Sequence, residues 1–230
     1  MESKVLKAWF RNLQRYLEET YLAQSEPWQQ SGFSGPQERW AALRKPIADC
    51  VDKDGTFLDI GCANGYLLEC VVSWSLERGI RIVPFGLDIS PRLIALAQER
   101  LPSLKPRLFV GNAFYWTPNF KFDFVRTELA YVPAELQREY VQRLLAEFVS
   151  DGGKLLIAEY RSRGDAADKP WADDHLDNWR IPIKSVVSAR DKGKELTRIA
   201  VIQDLGSLNP GNNSDSKIIG MARIRGGSVN

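Results

Sequence analysis

The residues Phe57-Leu58-Asp59-Ile60-Gly61-Cys62-Ala63-Asn64-Gly65 form an apolar strand-like run that carries an acid and breaks into a glycine-bracketed turn. A second run, Gly86-Leu87-Asp88-Ile89-Ser90, also ends in an acid. A buried strand stopped by a tight glycine turn, followed by a second strand tipped by a carboxylate, constrains the chain to a parallel α/β sheet. The turn and the second acid then cradle a nucleoside at the carboxyl edge, with the acid on the ribose hydroxyls.

The turn chemistry narrows the ligand. A dinucleotide needs G-x-G-x-x-G, so that backbone N–H groups at a helix start face a pyrophosphate. Here Gly61 and Gly65 flank Ala63, no third glycine follows at that spacing, and Asp59 at the mouth of the turn favours a cationic ligand. These residues resemble the class I S-adenosylmethionine-dependent methyltransferases, whose first motif is acid-x-Gly-x-Gly-x-Gly and whose second strand ends in a ribose-binding acid. The chain departs at Ala63, which adds a methyl where backbone and ligand run close. The resemblance covers roughly residues 36 to 205. Arg107-Leu108-Phe109-Val110 reads as a third strand leading to Gly111-Asn112-Ala113, where the family places an adenine-binding residue. Phe122-Asp123-Phe124-Val125-Arg126 reads as the fourth strand, and Gly152-Gly153 as a turn before the fifth, Lys154 to Tyr160.

The resemblance implies a Rossmann-like, doubly wound, seven-stranded mixed sheet with an antiparallel last strand. It also implies S-adenosylmethionine as cofactor, S-adenosylhomocysteine as product, and cofactor contacts from Asp59, Gly61, Cys62, Ala63, Asn64, Gly65, Asp88, Ile89, Asn112, Ala113 and Thr127.

Composition agrees. A chain of 230 residues with 44% hydrophobic content can bury one substantial core. A net charge of +2 argues against a protein whose affinity comes from many phosphate contacts. Cys50, Cys62 and Cys70 form no C-x-x-C pair and there is one histidine, His175, so no metal site is expected. The start has no leader pattern and no long apolar run occurs, which points to a reduced, cytoplasmic protein without membrane contact.

Along the chain, strand and helix signals alternate, as in a parallel sheet covered on both faces. Residues 3 to 22 read as a helix with Leu6, Trp9, Leu13, Tyr16 and Leu17 at helical spacing. Its Trp9 and Leu13 face packs on the core or forms a dimer seam, which leaves a homodimer open. Ser25 to Pro36 reads as a loop with bulky anchors, Trp28 and Phe33 among them. Helices are expected at Gln37 to Cys50 interrupted by Pro46, Tyr66 to Glu77, Pro91 to Leu101 capped by Ser90, and Glu135 to Val149. A short helix follows at Asp174 to Trp179. A hairpin of Ile183 to Ala189 and Glu195 to Leu205 turns at Asp191-Lys192-Gly193-Lys194. The expected organisation is an N-terminal helix and lid-like loop (1–36), a cofactor-binding domain (37–205) and a flexible Asn-, Gly- and Ser-rich tail (206–230), in which Ile218, Ile219 and Met221 pack locally at most.

Methyl transfer asks mainly for alignment of nucleophile and donor, with acid–base help as an addition. At the carboxyl ends of strands four and five stand Arg126, Thr127, Glu128, Tyr131, Glu159, Tyr160 and Arg161. Glu128 is the preferred base or substrate orienter, with Tyr131 beside it; a solvated or helix-capping Glu128 is an equal alternative. Trp28, Phe33, Glu159 and Arg161 are the substrate or lid candidates, and the two aromatics read equally well as core anchors. The strand-four exit, Arg126-Thr127-Glu128-Leu129, lacks the Asn/Asp-Pro-Pro-Tyr tetrad of amino methyltransferases acting on nucleic acid or glutamine, so a small-molecule acceptor leads. An RNA or protein methyltransferase and a non-catalytic cofactor-binding protein are the alternatives.

Overall fold

The computed structural model describes residues 4–166 and 168–203. The 206–230 tail and the expected end of the last strand at Leu205 lie outside the described residues.

Helix α1 (Lys4–Tyr21) is followed by a looping segment with one short 3-10 turn, Gln29–Ser31. The chain continues through α2 (Gln37–Arg44), α3 (Pro46–Asp49), β1 (Gly55–Ile60), α4 (Tyr66–Glu77), β2 (Ile82–Asp88), α5 (Pro91–Arg100), β3 (Leu108–Val110) and β4 (Phe122–Thr127). It closes with α6 (Gln137–Glu147), β5 (Val149–Tyr160), α7 (Ala172–Asn178), β6 (Ser185–Asp191) and β7 (Lys194–Gln203). The seven strands form one sheet in the order β3-β2-β1-β4-β5-β7-β6. β1 to β5 run parallel, and β7 is antiparallel to both its neighbours.

Strand alternation explains the doubly wound form. Leu58, Val125, Leu155 and Ile157 point to one face, where they meet Phe10 of α1, Tyr140, Val141 and Leu144 of α6, and Leu176 of α7. Phe57, Phe124, Leu156 and Ala158 point to the other, against Ile47 of α3, Leu68 and Val71 of α4, and Ile94 and Ala97 of α5. As expected, Pro46 interrupts the helical segment and divides it into α2 and α3, because it offers no backbone N–H to continue the ladder. Ser90 caps α5, its hydroxyl accepting from the Leu93 N–H at 3.1 Å. Lys192 and Gly193 both have positive φ, 50° and 79°, the geometry of a two-residue hairpin turn between β6 and β7.

The fifth strand begins earlier than its sequence suggests. Gly152 (φ 73°) and Gly153 lie inside it as a bulge, with Phe122 pairing Val149 but Phe124 pairing Lys154. A side chain on Gly153 would meet the backbone oxygens of Ser150 and Asp123 at 2.8 and 2.9 Å, so the bulge requires glycine there.

Candidate functional site

The order β2-β1-β4 places a topological switch between β1 and β4, where α/β sheets open a crevice at their carboxyl edge. β1 delivers the glycine turn there. Gly61, Ala63 and Gly65 all take positive φ, 76°, 47° and 75°. The Gly61 N–H donates to Leu87 O at 2.7 Å and ties the turn to β2. Asp88 then braces it: one carboxylate oxygen accepts from Ala63 N–H at 2.9 Å, the other from Ser90 N–H at 2.8 Å. Asp88 is buried, and burial pushes its carboxyl up to about 6 against the two N–H donors.

Two adjoining cavities meet over Gly61. The first, about 500 Å³, is walled by Ile60, Gly61, Leu87, Asp88, Ile89, Gly111, Asn112 and Ala113 from the sheet edge, Tyr131 beyond β4, and Leu13, Leu17 and Tyr21 of α1. Asn112 folds back, accepting from Phe114 N–H at 2.9 Å, and its amide nitrogen stays without a partner among the described residues. The second, about 760 Å³, is lined by Gly61, Cys62, Ala63 and Asn64 of the turn, by Trp40 and Arg44 of α2, and by Arg126, Glu128, Tyr131 and Tyr160. A Cβ on Gly61 would collide with the Tyr131 ring, so only glycine lets these groups converge.

The second cavity has a charged floor. Arg126, at the end of β4 and 2% exposed, donates to Asp59 Oδ1 at 3.2 Å, to the Tyr131 hydroxyl at 3.0 Å, to the Tyr160 hydroxyl at 3.3 Å and to Glu128 Oε1. The Tyr131 hydroxyl in turn donates to Glu128 Oε1 at 2.9 Å. Burial dominates at Asp59, whose carboxyl rises to about 6 although Arg126 pulls the other way. Burial likewise pushes the Tyr131 and Tyr160 phenols up, so both remain neutral, Tyr131 donating to Glu128 and Tyr160 accepting from Arg126. Arg44 differs from Arg126. It is 8% exposed, its guanidinium carbon stands 3.4 Å from the Tyr160 ring centroid, and no acceptor pairs with it among the described residues.

Of the residues expected at a cofactor, Gly61, Asp88, Ile89, Asn112 and Ala113 line the first cavity and Gly61, Cys62, Ala63 and Asn64 the second. The Asn64 side chain is also a strap, its amide donating to Pro27 O at 3.0 Å and Gln30 Oε1 at 2.9 Å. Three lie elsewhere. Asp59 sits fully buried beneath the turn on Arg126, and Gly65 packs on Leu101. Thr127 is fully buried, its hydroxyl 2.6 Å from that of Tyr140, because strand alternation turns it away from the edge that Arg126 faces.

Glu128 and Tyr131 stand at the second cavity, and Glu128 and Tyr160 also border a third, about 630 Å³, with Glu159, Lys169 and His175. The Glu159 carboxylate is held by Ala172 N–H at the start of α7 (2.8 Å) and by Arg161 Nε (2.9 Å). Arg161 also donates to Pro170 O and stacks 3.5 Å from the Trp171 ring centroid, so both residues anchor α7 to β5. The Trp28 indole N–H donates to Gly35 O at 3.0 Å within its own loop, whereas Phe33 lines a further, outer cavity. Sequence reasoning missed Leu13, Leu17, Tyr21 and Arg44 as site residues. Arg126 was placed at the carboxyl end of strand four, but its pairing with Asp59 was not read, although a charge directly after the apolar Phe124-Val125 of a central strand needs a buried partner.

No protein-family model matches the sequence, and no curated protein does. Solved structures do match. Magnesium protoporphyrin IX methyltransferase from Synechocystis, with bound S-adenosylmethionine, aligns at a TM-score of 0.58 and 15% identity over 84% of this chain and 96% of that one. The N-methyltransferase NodS from Bradyrhizobium japonicum, in complex with S-adenosylhomocysteine, aligns at 0.56 and 17% identity over 84% and 98%. A S-adenosylmethionine-dependent methyltransferase from Aquifex aeolicus aligns at 0.51 and 16% identity over 77% and 100%. The chain has the class I methyltransferase fold: the expected Rossmann-like, seven-stranded mixed sheet with its antiparallel last strand.

Proposed function

We propose that this chain is a S-adenosylmethionine-dependent methyltransferase acting on a small-molecule acceptor. The observation that carries the reading is the buried Asp88 carboxylate, which lines a slot with Gly61 and Asn112 at the switch point while bracing the glycine turn. The residues fit the cofactor. Asp88 is the acceptor for ribose hydroxyls, and Asn112 and Ala113 border the adenine end. Leu13, Leu17 and Tyr21 supply the apolar wall over it, and the unpaired Arg44 guanidinium is the cation available to an amino-acid carboxylate.

When bound, the cofactor would supply a sulfonium-activated methyl group to a nucleophile on the acceptor. The chain's own residues orient and desolvate. Glu128 borders both the second cavity and the third, so it can meet an acceptor entering beside Tyr160 and take the proton that the nucleophile releases. Arg126 and Tyr131 fix the Glu128 carboxylate through one oxygen, and Asp59 holds Arg126 from below. Asp59 is thereby a positioning residue rather than a ligand contact. The magnesium protoporphyrin IX methyltransferase supports a small-molecule acceptor by analogy. Among the described residues no helix is long and apolar enough to cross a membrane.

Calorimetric titration with S-adenosylmethionine, S-adenosylhomocysteine and NAD tests the reading. Micromolar binding of the first two without NAD is the expected result; binding of neither would overturn it.

A further inference from the structure

A cavity of about 820 Å³ opens outside the second one and shares Gly32, Arg44 and Tyr160 with it. Its wall carries Arg39, Arg44, Arg161 and Arg163 and no carboxylate. Phe33 forms part of the same wall, with the Arg39 and Arg44 guanidinium carbons 5.3 and 5.8 Å from its ring centroid.

The compensating acids fall short of the charge. Glu159 answers Arg161. A single oxygen of Asp191 serves both Arg39, through Nε at 2.7 Å, and Arg163, through Nε at 3.0 Å and Nη2. Those two guanidiniums hold the Asp191 carboxyl below its usual range. Both terminal amino groups of Arg39 stay unpaired among the described residues, as does the whole guanidinium of Arg44, which is 8% exposed. A largely buried cation that stacks on the Tyr160, Trp40 and Phe33 rings but has no anionic partner keeps a desolvation cost that is recovered when an anion arrives. The planar guanidinium has donors on two edges, so Arg44 can face a cofactor carboxylate in the second cavity and a different anion in the outer one.

We propose that the methyl acceptor carries an oxoanionic group, a carboxylate or a phosphate, held in the outer cavity by Arg39, Arg44 and Arg163. The acceptor's nucleophilic end then lies across Tyr160, on the side where Glu128 stands. This rests on the methyltransferase reading and narrows it, since neutral acceptors leave the arginines unanswered. Arg161, already committed to Glu159, Pro170 and Trp171, is outside the anion set.

The test is calorimetry on the full chain, first with S-adenosylhomocysteine alone and then, on the saturated protein, with benzoate, phenyl phosphate and the neutral control benzamide. The expected result is binding of at least one anion at least about tenfold tighter than benzamide, weakened about tenfold in Arg39→Gln and in Arg163→Gln. S-adenosylhomocysteine affinity in both variants should stay within about twofold of the parent, which certifies their fold. Benzoate alone assigns a carboxylate, phenyl phosphate alone a phosphate. Equal affinity for benzamide, no anion binding to the saturated protein, or no effect of either variant overturns the proposal while leaving the cofactor result standing. Absence of S-adenosylhomocysteine binding instead removes the methyltransferase reading, and the same titrations on the ligand-free protein then judge the arginine cavity by itself.

Discussion

Ala63 occupies a backbone position suited to glycine. Its φ of 47° is left-handed, a region that costs a residue with a Cβ about 1–2 kcal/mol. Replacing it by glycine removes that strain but returns about 0.4–1 kcal/mol of entropy to the unfolded chain. Ala63→Gly should therefore stabilise the protein by about 0.5–1 kcal/mol, and Ala63→Val, β-branched and buried, should destabilise it by more than that; urea unfolding of both variants decides. Asp88 carries a second residue-scale consequence. Its folded value of about 6 lies above the ordinary 3.8, so its contribution to stability is complete below the lower value and lost as pH rises through the higher one. Ribose hydroxyls need the ionised carboxylate, so cofactor affinity should move in the opposite sense and fall about tenfold between neutral pH and about pH 5. Calorimetric titrations of S-adenosylhomocysteine across that window should show the fall in the parent, and Asp88→Asn should bind more weakly at neutral pH with a shallower dependence. A parent affinity that stays flat would detach Asp88 from the ligand.

At the scale of elements, α1 is both wall and fastening. Phe10 is buried in the core, Glu18 accepts from the Ser90 hydroxyl at 2.7 Å, and Leu13, Leu17 and Tyr21 close the first cavity. Because Ser90 also caps α5 and donates its N–H to Asp88, the helix is linked to Asp88 through one residue. Hydrogen exchange should reveal this: saturating S-adenosylhomocysteine should slow exchange in α1 by about tenfold or more, while the central strands, already protected, change little. Unchanged exchange in α1 would mean that the helix only packs on the core. What the sequence disclosed follows the same division. The parallel strands were legible because each carries a short cluster of apolar residues, the hairpin because Lys192-Gly193 is a turn pair, and the glycine turn with Asp88 because its parts lie at strand ends. The early start of β5 was hidden because Gly152-Gly153 reads as a turn and only pairing with β4 makes it a bulge. Arg44, Leu13, Leu17 and Tyr21 were hidden because helical periodicity reports which face is buried and not what is buried beneath it.

For the molecule as a whole, the cavities over Gly61 draw on the ends of β1, β2, β3, β4 and β5, on α1 and on α2, so a ligand there clamps the two halves of the sheet to the N-terminal segment. Binding to the folded state alone stabilises it in proportion to the logarithm of ligand excess, about 2.7 kcal/mol at a hundredfold excess over Kd. In a chain of this size that corresponds to a rise in Tm of about 5–10 °C. S-adenosylhomocysteine should produce the rise in a single cooperative transition, because the binding surface spans both halves and neither can unfold while the other retains the ligand. NAD should leave Tm unchanged, since the glycine turn lacks the third glycine and the pyrophosphate contact that goes with it. Asp88→Asn should lose most of the shift at equal ligand concentration while still unfolding in one transition without ligand. A biphasic melt with ligand present, in which α1 and α2 separate before the sheet, would instead show that the N-terminal segment is not coupled to the cofactor slot, and would return Leu13, Leu17 and Arg44 to purely structural roles.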